Sequence, residues 1–152
     1  MNKIPNILLA EDNPHDAELT LTALAAHNLI NEVVTVADGA EALDYLYYRG
    51  QFAGRDNGHP VVVLLDLKMP KIDGIEVLRA IKHDQAMQSI PVVMLTSSRE
   101  EQDLVRSYQL GVNAYVVKPV DFQAFVDAVK QLAVFWVIHN QRPNSTPPQL
   151  PR

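Results

Sequence analysis

The sequence predicts an α/β fold with a doubly wound, five-stranded parallel sheet that carries helices on both faces. Five short apolar runs, rich in β-branched residues and leucine, recur along the 152 residues. The segments between these runs have apolar residues at helical spacing, so strand and helix alternate as (βα)5. Because crossovers between parallel strands are right-handed, the strand order 2-1-3-4-5 is favoured.

Each element has its own local signal. We predict strands at residues 7–10, 33–37, 61–65, 92–95 and 114–117, and helices at residues 14–27, 39–48, 74–83, 100–110 and 122–138. The strand segments lack polar alternation, which is typical of strands buried on both faces. Asn13 precedes Pro14 at a first helical position, and Asp121 precedes the last helix, so both residues are suited to cap a helix N-terminus.

Two segments interrupt the alternation of strands and helices. Residues 50–60 are polar and longer than an ordinary connection, so we expect them to project from the side of the domain. From residue 140 the chain is rich in proline and cannot continue a helix. We therefore assign residues 1–139 to one domain and residues 140–152 to a proline-rich tail.

Composition limits the possible functions. The formal net charge of -5, without a visible basic patch, argues against direct binding of nucleic acid. The chain contains no cysteine, which excludes disulfides and thiolate metal sites. The longest apolar run, at residues 132–138, is far shorter than the ~20 residues of a membrane-spanning helix, and no leader peptide is visible. We expect a cytoplasmic protein that does not bind membranes.

Three acidic residues, Glu11, Asp12 and Asp66, lie where the first and third strands end. These strands are neighbours in the predicted order, so the three carboxylates should converge at one edge of the sheet. A single acid at such a position is more often a turn or capping residue. Three together favour a bound cation, and ligands that are all oxygen atoms suit Mg²⁺.

The fourth and fifth strands end at Thr96 and Lys118, at the same predicted edge. Transfer of a phosphoryl group to a carboxylate requires a nucleophile, a divalent cation, and hydroxyl or cationic donors on the opposite side. Asp66, Mg²⁺, Thr96 and Lys118 supply these parts. Either donor alone would be interpreted as an ordinary turn or surface residue, so the prediction depends on their joint placement.

Four motifs resemble the response-regulator receiver domains of two-component signalling. They are ILLAEDN at 7–13, VLLDLKMPKIDGIEVL at 63–78, VVMLTS at 92–97 and AYVVKP at 114–119, and the resemblance spans most of residues 6–139. It implies the CheY-like form of the flavodoxin-like fold and a phosphorelay function. In this family a sensor histidine kinase donates the phosphoryl group to an aspartate, and the resulting aspartyl phosphate changes partner binding.

The resemblance also implies roles for the metal-binding residues. Asp66 would be the phospho-acceptor, and Asp12 and Asp66 would bind Mg²⁺ directly. Glu11 would act through a water molecule, and the backbone carbonyl of Lys68 would complete the protein ligands. The pair Glu11-Asp12 departs from the more usual pair of aspartates, which is a familiar variant. A basic side chain at Lys68 is expected to influence self-dephosphorylation.

The remaining implied roles concern the switch. Lys118 would pair with the phosphoryl group, and Thr96 would donate a hydrogen bond to it. Tyr115 matches the aromatic switch position, whose ring moves inward when Thr96 is drawn towards the phosphate. The bond between Lys118 and Pro119 is expected to be cis, as is common in the family.

Features outside the motifs suggest partners. The insertion at residues 50–60, the pair Phe135-Trp136 and the proline-rich tail resemble the single-domain regulators that serve phytochrome-type sensor kinases. We expect no effector domain after residue 139, and we therefore expect the output to be binding to a partner. Residues 132–138 are apolar all round, which favours a homodimer through helix 4, strand 5 and helix 5. Coverage of these residues by the tail is the alternative.

Two other functions compete with this interpretation. Aspartate-nucleophile phosphohydrolases also use Mg²⁺ and a lysine, but they carry a second aspartate two residues after the nucleophile, where this chain has Lys68. A pseudo-receiver that only docks partners is the second alternative, and the complete set of site residues argues against it. We therefore expect no enzymatic activity beyond self-phosphorylation and self-dephosphorylation.

Overall fold

A five-stranded parallel sheet is the centre of the fold. The structure is a computed structural model, and it describes residues 6–25 and 31–130, except for the side chain of Val129. The strands are β1 (Asn6–Ala10), β2 (Glu32–Val36), β3 (Val62–Asp66), β4 (Val92–Thr96) and β5 (Ala114–Val117). The helices are α1 (Pro14–Ala25), α2 (Gly39–Leu46), α3 (Gly74–Lys82), α4 (Arg99–Ser107) and α5 (Phe122–Lys130), with a short 3-10 helix at Gly50–Phe52. The strand order is β2-β1-β3-β4-β5, as predicted.

The register of the sheet aligns the ends of its strands. Ala10 lies opposite Leu65 across the β1-β3 pair, and Thr96 lies opposite Val117 across the β4-β5 pair. The residues that follow these positions therefore emerge side by side at one edge of the sheet. In doubly wound sheets this carboxyl edge is where ligands bind.

The core consists of two hydrophobic clusters, one on each face of the sheet. Tyr45, Leu78 and Met94 belong to the cluster beneath α2, α3 and α4, whereas Leu24 and Phe125 belong to the cluster beneath α1 and α5. All five side chains are buried. Successive strand residues point to opposite faces, so strands enclosed in this way must be apolar throughout.

The capping residues that the sequence predicts are confirmed. Asn13 Oδ1 accepts hydrogen bonds from the backbone N–H groups of His15 and Asp16, at 2.9 and 3.0 Å. Asp121 Oδ1 accepts one from the N–H of Ala124, at 2.7 Å. These bonds satisfy donors that would otherwise lack partners at the starts of α1 and α5.

Two helices end earlier than predicted. The pattern predicts helices to residues 48 and 110, but α2 ends at Leu46 and α4 ends at Ser107. Tyr48 and Gln109 have positive φ angles of 57° and 52°, a left-handed conformation that cannot continue a right-handed helix. The predicted continuations of α1 to residue 27 and of α5 to residue 138 lie outside the described residues.

The polar insertion before β3 folds onto the domain, whereas its composition predicts a projection. The Arg55 guanidinium lies 3.8 Å from the ring centres of both Tyr45 and Tyr48. The side-chain amide of Asn6, at the start of β1, donates a hydrogen bond of 3.0 Å to the carbonyl of Asn57. Cation-π contacts and hydrogen bonds of this kind hold the insertion against α2 and β1.

The assignment of residues 140–152 to a tail and the apolar segment 132–138 lie outside the described part of the chain. Within residues 6–25 and 31–130, none of the helices has the length and apolar character needed to span a bilayer.

One glycine controls the approach of α3 to the end of β3. The N–H of Gly74 donates a hydrogen bond of 2.8 Å to the carbonyl of Leu67. A Cβ atom on Gly74 would overlap the carbonyl oxygen of Asp66 and would lie 2.9 Å from the Cα atom of Leu67. The end of β3 therefore keeps its position only if residue 74 has no side chain.

We predict that Gly74→Ala lowers the free energy of unfolding by about 2 kcal/mol, because the methyl group forces the backbone at Asp66 and Leu67 to move. Gly54→Ala is the matched control, since a Cβ atom there meets nothing within 4 Å. Urea unfolding of both variants measures the difference. Equal stabilities would contradict this prediction.

Candidate functional site

Three carboxylates meet at the carboxyl edge of the sheet. Glu11 and Asp12 follow β1, and Asp66 is the last residue of β3, the strand next to β1. One oxygen from each of the three carboxylates lies within 4.8 Å of the others. Glu11 and Asp66 are buried, whereas Asp12 is exposed. This arrangement of hard oxygen ligands, open on one side, could hold a divalent cation such as Mg²⁺.

Lys118 is the cation at the centre of the cluster. Its Nζ atom lies 3.0 Å from Glu11 Oε1, 3.1 Å from Asp16 Oδ2 and 3.4 Å from Asp66 Oδ1. The backbone N–H of Lys118 donates a hydrogen bond of 2.8 Å to the carbonyl of Thr96, and its bond to Pro119 is cis, as predicted. The side chain of Lys118 thus extends from the end of β5 to carboxylates at the ends of β1 and β3.

Burial and charge shift the pKa values of this cluster. Burial raises the pKa of the Asp66 carboxyl from 3.8 to about 7, with a further contribution from Glu11, and Lys118 only partly opposes the increase. Burial alone would lower the pKa of Lys118, but its hydrogen bond to Glu11 and the charge of Asp66 raise it overall. The lysine is therefore firmly protonated, whereas the accumulated carboxylates repel one another.

Thr96 and Tyr115 lie on β4 and β5, the two strands that follow β3 in the sheet. Thr96 is fully buried at the end of β4, and its Oγ1 atom has no hydrogen-bond partner among the described residues. Such a buried hydroxyl is costly unless a ligand or a movement supplies an acceptor. Tyr115 is half-buried on β5, and the Arg106 guanidinium of α4 lies 4.8 Å from the centre of its ring.

A second ion pair lies at the mouth of the site. The Lys68 ammonium is 3.5 Å from Glu101 Oε2, and the other oxygen of Glu101 accepts a hydrogen bond of 2.8 Å from the N–H of Ser97. These residues line a cavity of about 260 Å³ together with Asp66 and Lys118. A small anion could reach Asp66 through this opening.

The structure brings together most of the residues that the sequence predicts for the site. Glu11, Asp12, Asp66 and Lys118 line one cavity, as does the side chain of Lys68. The predicted roles of these residues as ligand, acceptor or switch remain predictions.

Two residues of the site escaped the sequence analysis. Asp16 pairs with Lys118, and Glu101 binds Ser97 and Lys68. Asp16 lies in the first turn of α1, shortly after the pair Glu11-Asp12. Its place at the carboxyl edge of the sheet could have been predicted from the sequence. Glu101 had no comparable signal, because a glutamate in a first helical turn is commonly explained by the helix dipole.

Fold and site together define a class of protein. A doubly wound sheet presents a carboxylate cluster, a buried lysine and an unpaired hydroxyl at adjacent strand ends, which suits a cation and a tetrahedral oxyanion. The family model described as the response regulator receiver domain matches residues 7–130. The chain therefore belongs to the response regulator receiver family, and it is a receiver of two-component signalling.

Curated relatives include two regulators that align over most of their length. The chain is 39% identical over 137 residues to the probable methanogenesis regulatory protein FilR2 of Methanothrix harundinacea, covering 90% of this chain and 86% of the relative. It is 36% identical over 131 residues to the response regulator Rcp1 of Synechocystis, covering 86% and 88%.

Similar solved structures include phytochrome response regulators. The bacteriophytochrome response regulator AtBRR is 60% identical, with a TM-score of 0.87 and coverage of 91% of this chain and 99% of that one. Phosphorylated RcpA, a cyanobacterial phytochrome response regulator, is 42% identical, with a TM-score of 0.71 and coverage of 89% and 95%. The Mn²⁺-bound form of Rcp1 is 33% identical, with a TM-score of 0.67 and coverage of 95% and 100%.

We predict that Asp66→Asn stabilises the metal-free protein at pH 8, because it removes a charge that burial and Glu11 disfavour. The folded-state pKa of Asp66 is about 7, above the ordinary value of 3.8, so wild-type stability falls as the pH rises between these values. The expected gain is on the order of 2 kcal/mol, or roughly 5 °C in melting temperature, and it is smaller at pH 5.

Thermal unfolding in EDTA at pH 5 and pH 8 measures this difference. Asp103→Asn is the control, because Asp103 is an exposed residue of α4 and its replacement should give no pH-dependent gain. A gain for Asp66→Asn that is the same at both pH values would contradict the prediction.

Proposed function

We propose that Asp66 is the residue of this receiver that accepts a phosphoryl group from a sensor histidine kinase. The observation that carries the proposal is the buried carboxylate of Asp66, which lies 3.4 Å from the Lys118 ammonium. The hydroxyl of Thr96 is buried at the end of the adjacent strand, and in the described part of the chain it has no hydrogen-bond partner. A nucleophile, a cation and a free donor are the groups that phosphoryl transfer to a carboxylate needs.

In the proposed reaction, a carboxylate oxygen of Asp66 attacks the phosphorus atom of a phosphohistidine. A P–O bond forms, the P–N bond breaks, and the departing imidazole nitrogen takes up a proton. Lys118 offsets the negative charge on the phosphoryl oxygens, and Thr96 donates a hydrogen bond to one of them. Exclusion of water by the buried surroundings of Asp66 strengthens both interactions.

The same proposal places Mg²⁺ on Glu11, Asp12, Asp66 and the backbone carbonyl of Lys68, with Glu11 acting through water. The distances among the three carboxylates and their exclusively oxygen ligands fit this ion. When bound, Mg²⁺ would neutralise charge on the transferring group. The Mn²⁺-bound form of Rcp1 supports this assignment by similarity.

The output is proposed to follow from movement of Thr96 and Tyr115. A phosphoryl group on Asp66 would supply acceptor oxygens for the Thr96 hydroxyl, which has no hydrogen-bond partner within residues 6–25 and 31–130. Movement of Thr96 changes the space beside Tyr115, whose ring contacts Arg106 of α4. The charge added at the site would thus change the surface formed by α4 and β5.

We assign the upstream partner to the phytochrome type of sensor kinase, in the cytoplasm. Identities of 60% to AtBRR and 42% to RcpA support this assignment. The protein would signal by partner binding, without turnover of a diffusible substrate. The phosphohydrolase alternative lacks support, because Lys68 stands where that class carries its second aspartate.

A homodimer through α4, β5 and α5 is the second part of the proposal. β5 is an edge strand of the described sheet, and its Val117 is 46% exposed. An exposed valine on an unpaired edge is a surface that proteins usually cover. A two-fold partner would bury it against the same surface of the second copy.

We predict that wild-type protein with Mg²⁺ and acetyl phosphate gains one phosphoryl group, and that Asp66→Asn gains none, because the amide is not a nucleophile. Intact mass spectrometry measures the adduct, which should be labile to hydroxylamine. Asp103→Asn is the matched control and should be phosphorylated like the wild type. An adduct of equal yield on Asp66→Asn would refute the assignment of the acceptor.

We also predict that Val117→Glu weakens self-association at least tenfold, because the dimer would place two added charges close together. Sedimentation over a range of concentrations gives the dissociation constant. Leu19→Glu, at a 41% exposed leucine of α1, is the control and should dimerise normally. A wild-type protein that remains monomeric at every concentration would defeat the dimer proposal.

A further inference from the structure

Glu101 holds together the two turns that form the mouth of the site. It lies in the first turn of α4, and its carboxylate contacts the N–H of Ser97 and the ammonium group of Lys68. The Glu101 side chain is only 15% exposed, whereas that of Lys68 is 81% exposed. The carboxylate therefore lies on the inner side of this ion pair, in the wall of the cavity that contains Asp66.

The cavity has more carboxylates than cations. The carboxylates that line it are Glu11, Asp12, Asp16, Asp66 and Glu101, and the cations are Lys68 and Lys118. Lys118 is already shared among Glu11, Asp16 and Asp66. Besides Lys118 and Thr96, an anion entering the cavity could therefore use Lys68 and the N–H of Ser97 as further donors. Glu101 engages both of these groups.

We propose that Glu101 is an internal competitor of the phosphoryl group. It engages Ser97 and Lys68 in the unphosphorylated protein, and it is displaced when a phosphoryl group on Asp66 takes over these two donors. The inference rests on the proposed role of Asp66. Two negative groups that share the same donors in a small cavity repel each other, so only one of them can keep these contacts.

This displacement would transmit the state of the site to α4. The N–H of Glu101 donates a hydrogen bond of 3.2 Å to the hydroxyl of Ser98, which caps the helix. Displacement of the Glu101 side chain would therefore remove its hydrogen bond with the N–H of Ser97, in the same turn that Ser98 caps.

The test is the affinity of the full-length protein for beryllofluoride, a phosphoryl mimic, in the presence of Mg²⁺. We expect Glu101→Gln to bind about fivefold more tightly, because a neutral amide holds Ser97 and Lys68 less strongly than a carboxylate does. Glu100→Gln is the matched control, with the same change of charge at an exposed neighbouring position, and should differ from wild type by less than about twofold. The melting temperature of Glu101→Gln should be slightly below that of wild type, because glutamine accepts the hydrogen bond from Ser97 more weakly and lacks the charge that pairs with Lys68.

Glu101→Ala provides a second variant, which removes both contacts and should bind at least as tightly as Glu101→Gln. If Glu101 competes directly, the gain in beryllofluoride affinity of Glu101→Gln persists in 0.5 M salt, whereas a gain caused only by a distant charge is screened. Equal affinities for Glu101→Gln and Glu100→Gln, or a gain that disappears in salt, would overturn the role of Glu101 while leaving Asp66 as acceptor. Absence of beryllofluoride binding in wild type would instead overturn the proposed function itself.

Discussion

The ion-paired cluster around Lys118 is the constraint on which the rest of the structure depends. Glu11 and Asp66 are buried at adjacent strand ends, where unpaired carboxylates would be costly. One ammonium group contacts both carboxylates, and Asp16 as well. This contact requires β1, β3 and β5 to end at the same level, which the parallel register provides. The sheet thus serves as a support that keeps like charges close together.

The same electrostatic conflict explains how the domain can respond to a small chemical change. Burial, and after it the neighbouring Glu11, raises the pKa of Asp66, so the charged form of this carboxyl is disfavoured and a bound divalent cation would stabilise it. In the proposed function, a phosphoryl group on Asp66 would redistribute the available donors, among them Lys118, Thr96 and the groups that Glu101 engages. A small change in free energy is therefore enough to rearrange the site, because its contacts already compete with one another.

The sequence predicts the fold and the central site because both depend on local patterns. Buried parallel strands are continuous apolar runs, and the residue after each run must lie at the carboxyl edge, as Glu11 and Lys118 do. The contact between Glu101 and Lys68 was not predictable, since it depends on side-chain conformation across two turns. The early ends of α2 and α4 were missed because Tyr48 and Gln109, which follow them, have left-handed backbone angles that residues other than glycine rarely adopt.

The ion pair between Lys118 and Glu11 joins residues that are 107 positions apart in the chain. During synthesis the acidic residues of β1 and β3 emerge long before the lysine that compensates them. A nascent chain that lacks β5 therefore carries an uncompensated acidic cluster and cannot complete the site. The described cluster is therefore complete only in a chain that extends past residue 118.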